Sequence, residues 1–443
     1  MLTGKRIFGL AAAVSAALFL VTGCPDPEAI PDDQPPGEPI IVEEVTVNVA
    51  AGAVGMELQL TQMLAESYTE ANPGVIVEVV EVPDEADARR AFYLQLFEME
   101  SPDVDVYQID VVWPGDMAEH FVDLYDYGAE EVVDDHFPAI IENNTVDGKL
   151  VGIPWFTDAG LLYYRTDLLE KYDLDVPETW AQLEAAALAI QEGERGENPD
   201  FSGFVWQGNA YEGLTTNALE WIDSNGGGTI VSPEGVITIN NPNAIEIVDR
   251  AAGWVGTISP EAVVTFNEEG ARAVWHVGNA AFMRNWPYAY ATSQGEDSAV
   301  RDVFDVAPLP AGAGDESSAT LGGWQLGVSR YSENPDVAAD VALYMANRDN
   351  QKMRAIVGTM IPTIPDLFED EEVLDAHPWF NRLYDVFVNA VARPSSATAP
   401  HYGEVSELFY RSVHDVLIGA TDAQTAFENL EAALEDLLGF EIE

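Results

Sequence analysis

The sequence predicts an α/β protein built on a parallel sheet, and three observations lead to that fold class. Short valine-rich runs of alternating or continuous apolar character are each followed by a longer run with apolar residues at helical spacing. The order over the first such stretch is β-α-β-α-β, and glycines or an Asn-Pro-Gly break separate the runs. Parallel strands joined by helices require right-handed crossovers.

The elements follow in order. Val45, Val47 and Val49 alternate with polar residues as a strand, which Gly52 and Gly55 end. Leu58, Leu60, Met63, Leu64 and Tyr68 then recur at helical spacing until Asn72-Pro73-Gly74 stops the helix. Val75 to Val82 is a β-branched strand, a second helix is predicted from about Asp84 to Met99, and a third strand from Val104 to Ile109 leads to Asp110. Ligands of such sheets sit beyond the carboxyl ends of the strands, and Glu57 and Asp110 both fall just past such ends. A second α/β unit begins at Leu161-Leu162-Tyr163-Tyr164 and continues through a helix from Trp180 to Gln191. Further helices are predicted near 212–223, 243–256 and 336–348. The last fifty residues are strongly helical, with Val405, Leu408, Phe409, Val413, Val416 and Leu417 on one stripe. Gly226-Gly227-Gly228 follows a helix and lacks the lysine of a phosphate loop, so it reads as a C-cap and turn.

The amino terminus carries an address. Lys5 and Arg6 precede an apolar run from Ile7 to Val21, too short to span a bilayer, and Val21-Thr22-Gly23-Cys24 follows. This is the pattern of a lipoprotein signal peptide over 1–23, with Cys24, the one cysteine of the chain, as the lipidated residue. Residues 24–44 are rich in proline and acid and predict an extended tether. The expected location is the extracytoplasmic face of the cell envelope, with a lipid anchor in the membrane.

Composition narrows function further. The chain has 77 Asp and Glu against 19 Lys and Arg, a net charge of −58, with only four lysines. Hydrophobic content of 47% is that of a folded protein, so the acid forms a skin, as in proteins of halophiles. Nucleic-acid binding is excluded for want of clustered cations. With no second cysteine, no intramolecular disulfide forms. The six histidines show no close metal-ligand spacing, and no metal or cofactor is expected.

A series of blocks resembles family 1 extracellular solute-binding proteins, the sugar receptors of ABC importers. They are Gly152-Ile153-Pro154-Trp155-Phe156-Thr157-Asp158 with Leu161 to Leu169, Val176-Pro177-Glu178-Thr179-Trp180, Gln207 to Leu214, Gly278 to Trp286, Leu309-Pro310-Ala311-Gly312, Leu321-Gly322-Gly323-Trp324, and Ala392-Arg393-Pro394. Their order holds across essentially the whole mature chain, and the set looks most like the trehalose/maltose-binding branch. The resemblance implies a periplasmic-binding-protein-like fold: two α/β lobes joined by a three-crossing hinge, with the ligand cleft between them. Crossings are expected near Phe156–Gly160, Val303–Leu309 and Gly358–Pro362. The amino-terminal lobe is then 45–156 and 306–357, the carboxyl-terminal lobe 160–302 and 361–443. A monomer is expected, working with the transmembrane subunits of an ABC importer and catalysing nothing.

A neutral sugar needs carboxylates to accept its hydroxyl protons, an arginine or amides to donate, and tryptophans against its apolar ring faces. The resemblance places Asp110, Asp158, Glu57 and Arg89 (or its neighbour Arg90) among the polar contacts, and Trp286 and Trp324 as stacking platforms. Gly322 and Gly323 suit a close backbone approach, and Arg393 matches a family arginine that reaches into the cleft. Phe156 lacks the hydroxyl of a relative's tyrosine, which leaves the identity of the disaccharide open. Tyr211 and Glu212 are further candidates. Two other classes compete: a receptor for an oligopeptide, polyamine or metal chelate, and a secreted carbohydrate hydrolase using paired carboxylates.

Overall fold

A computed structural model describes residues 44–313 and 316–443. The expected signal peptide at 1–23, Cys24 and the expected tether up to residue 43 lie outside the described residues. Among those described, no helix is long and apolar enough to cross a membrane.

The first sheet contains β1 (Val45–Ala51), β2 (Val75–Glu81), β3 (Val106–Asp110), β4 (Ile153–Ala159) and β9 (Leu321–Val328), in the spatial order β2-β1-β3-β9-β4. β1 pairs in parallel with β2 and β3, as the alternating elements predict. The helix between β1 and β2 spans Glu57–Ala71 and buries Leu60, Leu64 and Tyr68, and the next spans Ala86–Glu98. The sheet is not wholly parallel, however, because β9 runs antiparallel to both β3 and β4. β1, β3 and β4 end at the cleft, whereas β9 returns from the second sheet and starts there. Their direction is therefore opposite, and a reading of the first three strands alone cannot show it.

The second sheet contains β5 (Leu161–Arg165), β6 (Ser202–Val205), β7 (Ala280–Asn285) and β8 (Phe304–Ala307), in the order β8-β5-β7-β6. β8 pairs with β5 from Phe304↔Arg165 to Ala307↔Leu162, so residues 304–307 belong to this sheet. The chain stays on this side further still: Ala311 bridges Thr179, Gly312 N–H donates to Ser224 O, and Ser318 donates to Asp223. It reaches the first sheet only at Leu321, later than the crossing expected at 303–309. Backbone pairing with β5, a strand far away in sequence, holds it there.

Helices found at Trp180–Glu194, Glu212–Ser224 and Pro242–Trp254 cover the second sheet. Thr179 and Gln182 form a reciprocal capping box that starts the first of these. Trp180, Trp206, Trp221 and Trp254 pack mostly edge to face around a common centre, with the indole nitrogens of Trp180, Trp206 and Trp254 donating to Ser224, Ser259 and Glu184. These tryptophans are core, in contrast to the two that reach the cleft.

Candidate ligand chamber between the two sheets

One wall of the cleft comes from the first sheet. β3 ends in Asp110, β4 carries Phe156 and Asp158 near its end, and β9 begins with Gly322, Gly323 and Trp324. Glu57 opens the helix that follows the Gly52–Gly55 turn. The facing wall is Tyr211 and Glu212 at the start of helix 212–224, Glu268 at the start of helix 268–276, and Trp286 and Tyr288 just past β7. All ten binding candidates named from the sequence line this one chamber: Glu57, Arg89, Asp110, Phe156, Asp158, Tyr211, Trp286, Gly323, Trp324 and Arg393. Its open interior, about 80 Å³ for the centre of a water-sized sphere, is several times the roughly 10–15 Å³ that one water needs.

The polar groups are tightly partnered. Glu57 Oε1 accepts from Gly52 N–H at 2.9 Å and from Arg89 Nη1 at 3.2 Å. Arg89 is fully buried, donates through Nε to Pro83 O, and lies 4.3 Å over the Trp324 ring. Arg90 turns away and pairs with Asp116 at 3.1 Å, so Arg89 is the one at the chamber. Arg393 joins the two walls: Nη2 donates to Asp110 at 2.8 Å and Nη1 to Glu212 at 2.6 Å. Glu212 also accepts from the Tyr402 and Ser406 hydroxyls. Burial works against the Arg393 charge, but Asp110, Tyr402 and Glu212 outweigh it and hold the guanidinium protonated.

Trp286 stands with Arg284 4.0 Å over its ring, while its indole N–H donates to Glu268 at 3.3 Å. Arg284 is itself paired bidentately with buried Glu220. Each cleft tryptophan thus has one face covered by an arginine. Trp113 meets Trp324 edge to face at 5.4 Å. Gly323 has φ +115°, and a Cβ there would stand 2.5 Å from Phe156 O, so only glycine lets β9 approach β4 this closely. Asp158 is buried, and that burial raises its carboxyl well above the usual range, with Asp110 and Glu57 adding to the rise and Arg284 opposing it.

The sequence reading missed Glu268, Asp84 and Tyr288. Glu268 accepts the Tyr211 hydroxyl at 2.7 Å and orients Trp286, but Asn267-Glu268-Glu269 reads as an N-cap with acids in the first helical turn. In so acidic a chain nothing local singles it out. Asp84 accepts from Ala53 N–H and is equally anonymous. The Tyr288 ring packs against Gly55 across the cleft, and its hydroxyl donates to Glu269.

With acceptors, donors and aromatic faces around one cavity, the arrangement suits capture of a small polar solute. The profile of the family described as bacterial extracellular solute-binding protein matches residues 54–352. A Deinococcus radiodurans protein named "Probable ABC transporter-binding protein" is 49% identical over 89% of this chain and 94% of its own. The structure of maltose-bound MalE3 from T. maritima shares 36% identity and covers 89% of this chain and 100% of its own, with a TM-score of 0.85. The GacH receptor of Streptomyces glaucescens, solved unliganded and with acarbose, has the same fold. It is 24% identical, covers 90% and 99% of the two chains, and has a TM-score of 0.79.

Proposed function

Because this chain belongs to the bacterial extracellular solute-binding proteins, which are receptors rather than enzymes, we propose that it captures a disaccharide such as maltose or trehalose for an ABC importer. The observation that carries this reading is the meeting, in one chamber, of Asp110, Asp158, Glu57 and Arg89 with the two cleft tryptophans. The likeness to maltose-bound MalE3 supports it. The lobes are 45–156 with 306–357 and 160–302 with 361–443, adjusted so that 304–313 and 316–320 stay with the second, and they part and close by hinge bending. A thermal-shift screen of mono-, di- and oligosaccharides in molar salt tests the proposal. A sugar at 100 times its dissociation constant stabilises the folded state by about 2.7 kcal/mol. A chain that no sugar stabilises is not a sugar receptor.

The receptor is held at the membrane by lipid on Cys24, which the sequence pattern before it supports. The Cys24→Ser variant is expected in the medium or as unprocessed precursor. Its normal attachment to membranes would rule the anchor out.

Closure carries a pH signature. Asp87, on helix 86–98, accepts from Glu212 N–H at 3.0 Å across the cleft. Burial, then Glu212 and Glu85, push its carboxyl from 3.8 up to about 7, while the Glu212 N–H and Arg90 pull the other way. In an open cleft the same carboxyl meets water and titrates near its ordinary value. The closed form is therefore favoured by protonated Asp87, an advantage complete below about pH 4 and lost as pH rises to about 7. Sugar affinity is expected to fall roughly tenfold or more between pH 5 and 8, and Asp87→Asn to remove its share of that fall and leave the share of buried Asp158. Titration calorimetry at each pH checks it.

A further inference from the structure

We propose that the chamber sorts sugars by charge, rejecting anionic ones and binding an amine-bearing sugar, its ammonium against Asp158, more tightly than the neutral parent. This rests on the sugar-receptor reading and narrows its substrate class.

Each cation at the chamber already has an ion-pair partner, although Arg89 Nη2 and Arg393 Nε hold no hydrogen bond among the described residues. Arg89 pairs with Glu57, Arg393 with both Asp110 and Glu212, and Arg284, behind Trp286, with Glu220. Asp158 is the exception among the acids. It is 9% exposed, lines the chamber, and has no hydrogen-bond or ion-pair partner for its carboxylate among the described residues. Its place is set by Gly322: a Cβ on that glycine would stand 3.1 Å from Asp158 Cβ and 3.0 Å from the Trp286 ring, so acid and indole flank one patch of wall. Two more acids face the same space and hold only neutral donors, Asp84 with Ala53 N–H and Glu268 with Tyr211 and Trp286. Among the described residues the chamber is therefore lined by more acids than cations, and each of its cations already has a carboxylate partner.

In a dry site an unpaired carboxylate is costly until a positive partner arrives, and a second negative charge compounds the cost. A carboxylated or phosphorylated sugar meets no unpaired arginine. A neutral sugar offers Asp158 hydroxyl donors and still binds. An ammonium offers the same hydrogen bond with a full opposite charge, and buried pairs are screened little by salt. The raised carboxyl of Asp158 agrees with this: it is an acid waiting for a cation to ionise against.

Titration calorimetry at pH 6.5 tests the proposal with maltose and trehalose, their monoamine analogues substituted at carbon 2 or carbon 6, and their 6-phosphates. At least one amine is expected to bind tenfold or more tightly than its parent, and both phosphates to give no heat at millimolar concentration. Asp158→Asn should weaken the amine more than the parent sugar and so cancel the amine's advantage, read as the ratio of the two affinities in that variant. Amines no tighter than their parents, or an advantage that survives Asp158→Asn, overturn charge selection. If maltose or trehalose still binds, the receptor reading stands. No heat from any of them, in a chain that unfolds cooperatively, overturns both.

Discussion

Replacing Arg393 with methionine is expected to lower the unfolding free energy by about 3–5 kcal/mol and to abolish measurable sugar binding. One guanidinium serves Asp110 on the first wall and Glu212 on the second, and all three side chains are buried. Without it Glu212 keeps the Tyr402 and Ser406 hydroxyls, but Asp110 keeps only the Val112 N–H at 3.2 Å. Two desolvated carboxylates are then left facing each other across the cleft. Arg393→Lys should recover only part of the loss, because a point charge cannot fork to two carboxylates. Urea unfolding and calorimetry of both variants measure the effect. A methionine variant as stable as the parent would mean that the triad does not tie the walls together.

Gly323→Ala is expected to cost about 1–3 kcal/mol from backbone conformation alone and to weaken sugar binding roughly tenfold or more. The added Cβ meets backbone, Phe156 O at 2.5 Å and Thr157 Cα at 2.7 Å, which cannot rotate aside. β9 must move away from β4 at the register shift between Trp324 and Gln325, and Phe156, Asp158 and Trp324 move with the two strands. Gly128→Ala is the control: Gly128 has φ +92° but nothing within 4 Å of a new Cβ. It should lose stability from strain and keep its affinity. Equal affinity in the two variants would remove the case for close approach at Gly323.

What the sequence revealed, and what it hid, follows from the range of the interactions involved. The elements between Val45 and Asp110 were legible because valine alternation and helical spacing are local, and Asp110 follows from them as the end of a strand. The positions of Trp286, Trp324 and Arg393 at the chamber came from blocks of residues with a family likeness, since the other tryptophans of this chain, Trp113, Trp155, Trp180, Trp206, Trp221, Trp254, Trp275 and Trp379, are all buried. The antiparallel β9 and the late return to the first sheet were hidden because strands over a hundred residues apart decide them. The bond from Arg393 to Asp110 spans 283 positions, and no local pattern announces it. Glu268 was hidden for another reason: a chain with 77 acids offers many like it.

The most direct measurement of the account is calorimetric titration of the purified chain with maltose and trehalose, repeated on Trp324→Ala. One-site binding of at least one of the two sugars is expected. Removal of the Trp324 indole should weaken it roughly tenfold or more, and should also lower the unfolding midpoint because its contacts with Trp113 and Arg89 are lost. Absence of heat with both sugars, or an affinity unchanged in Trp324→Ala, would contradict a sugar chamber between the two sheets.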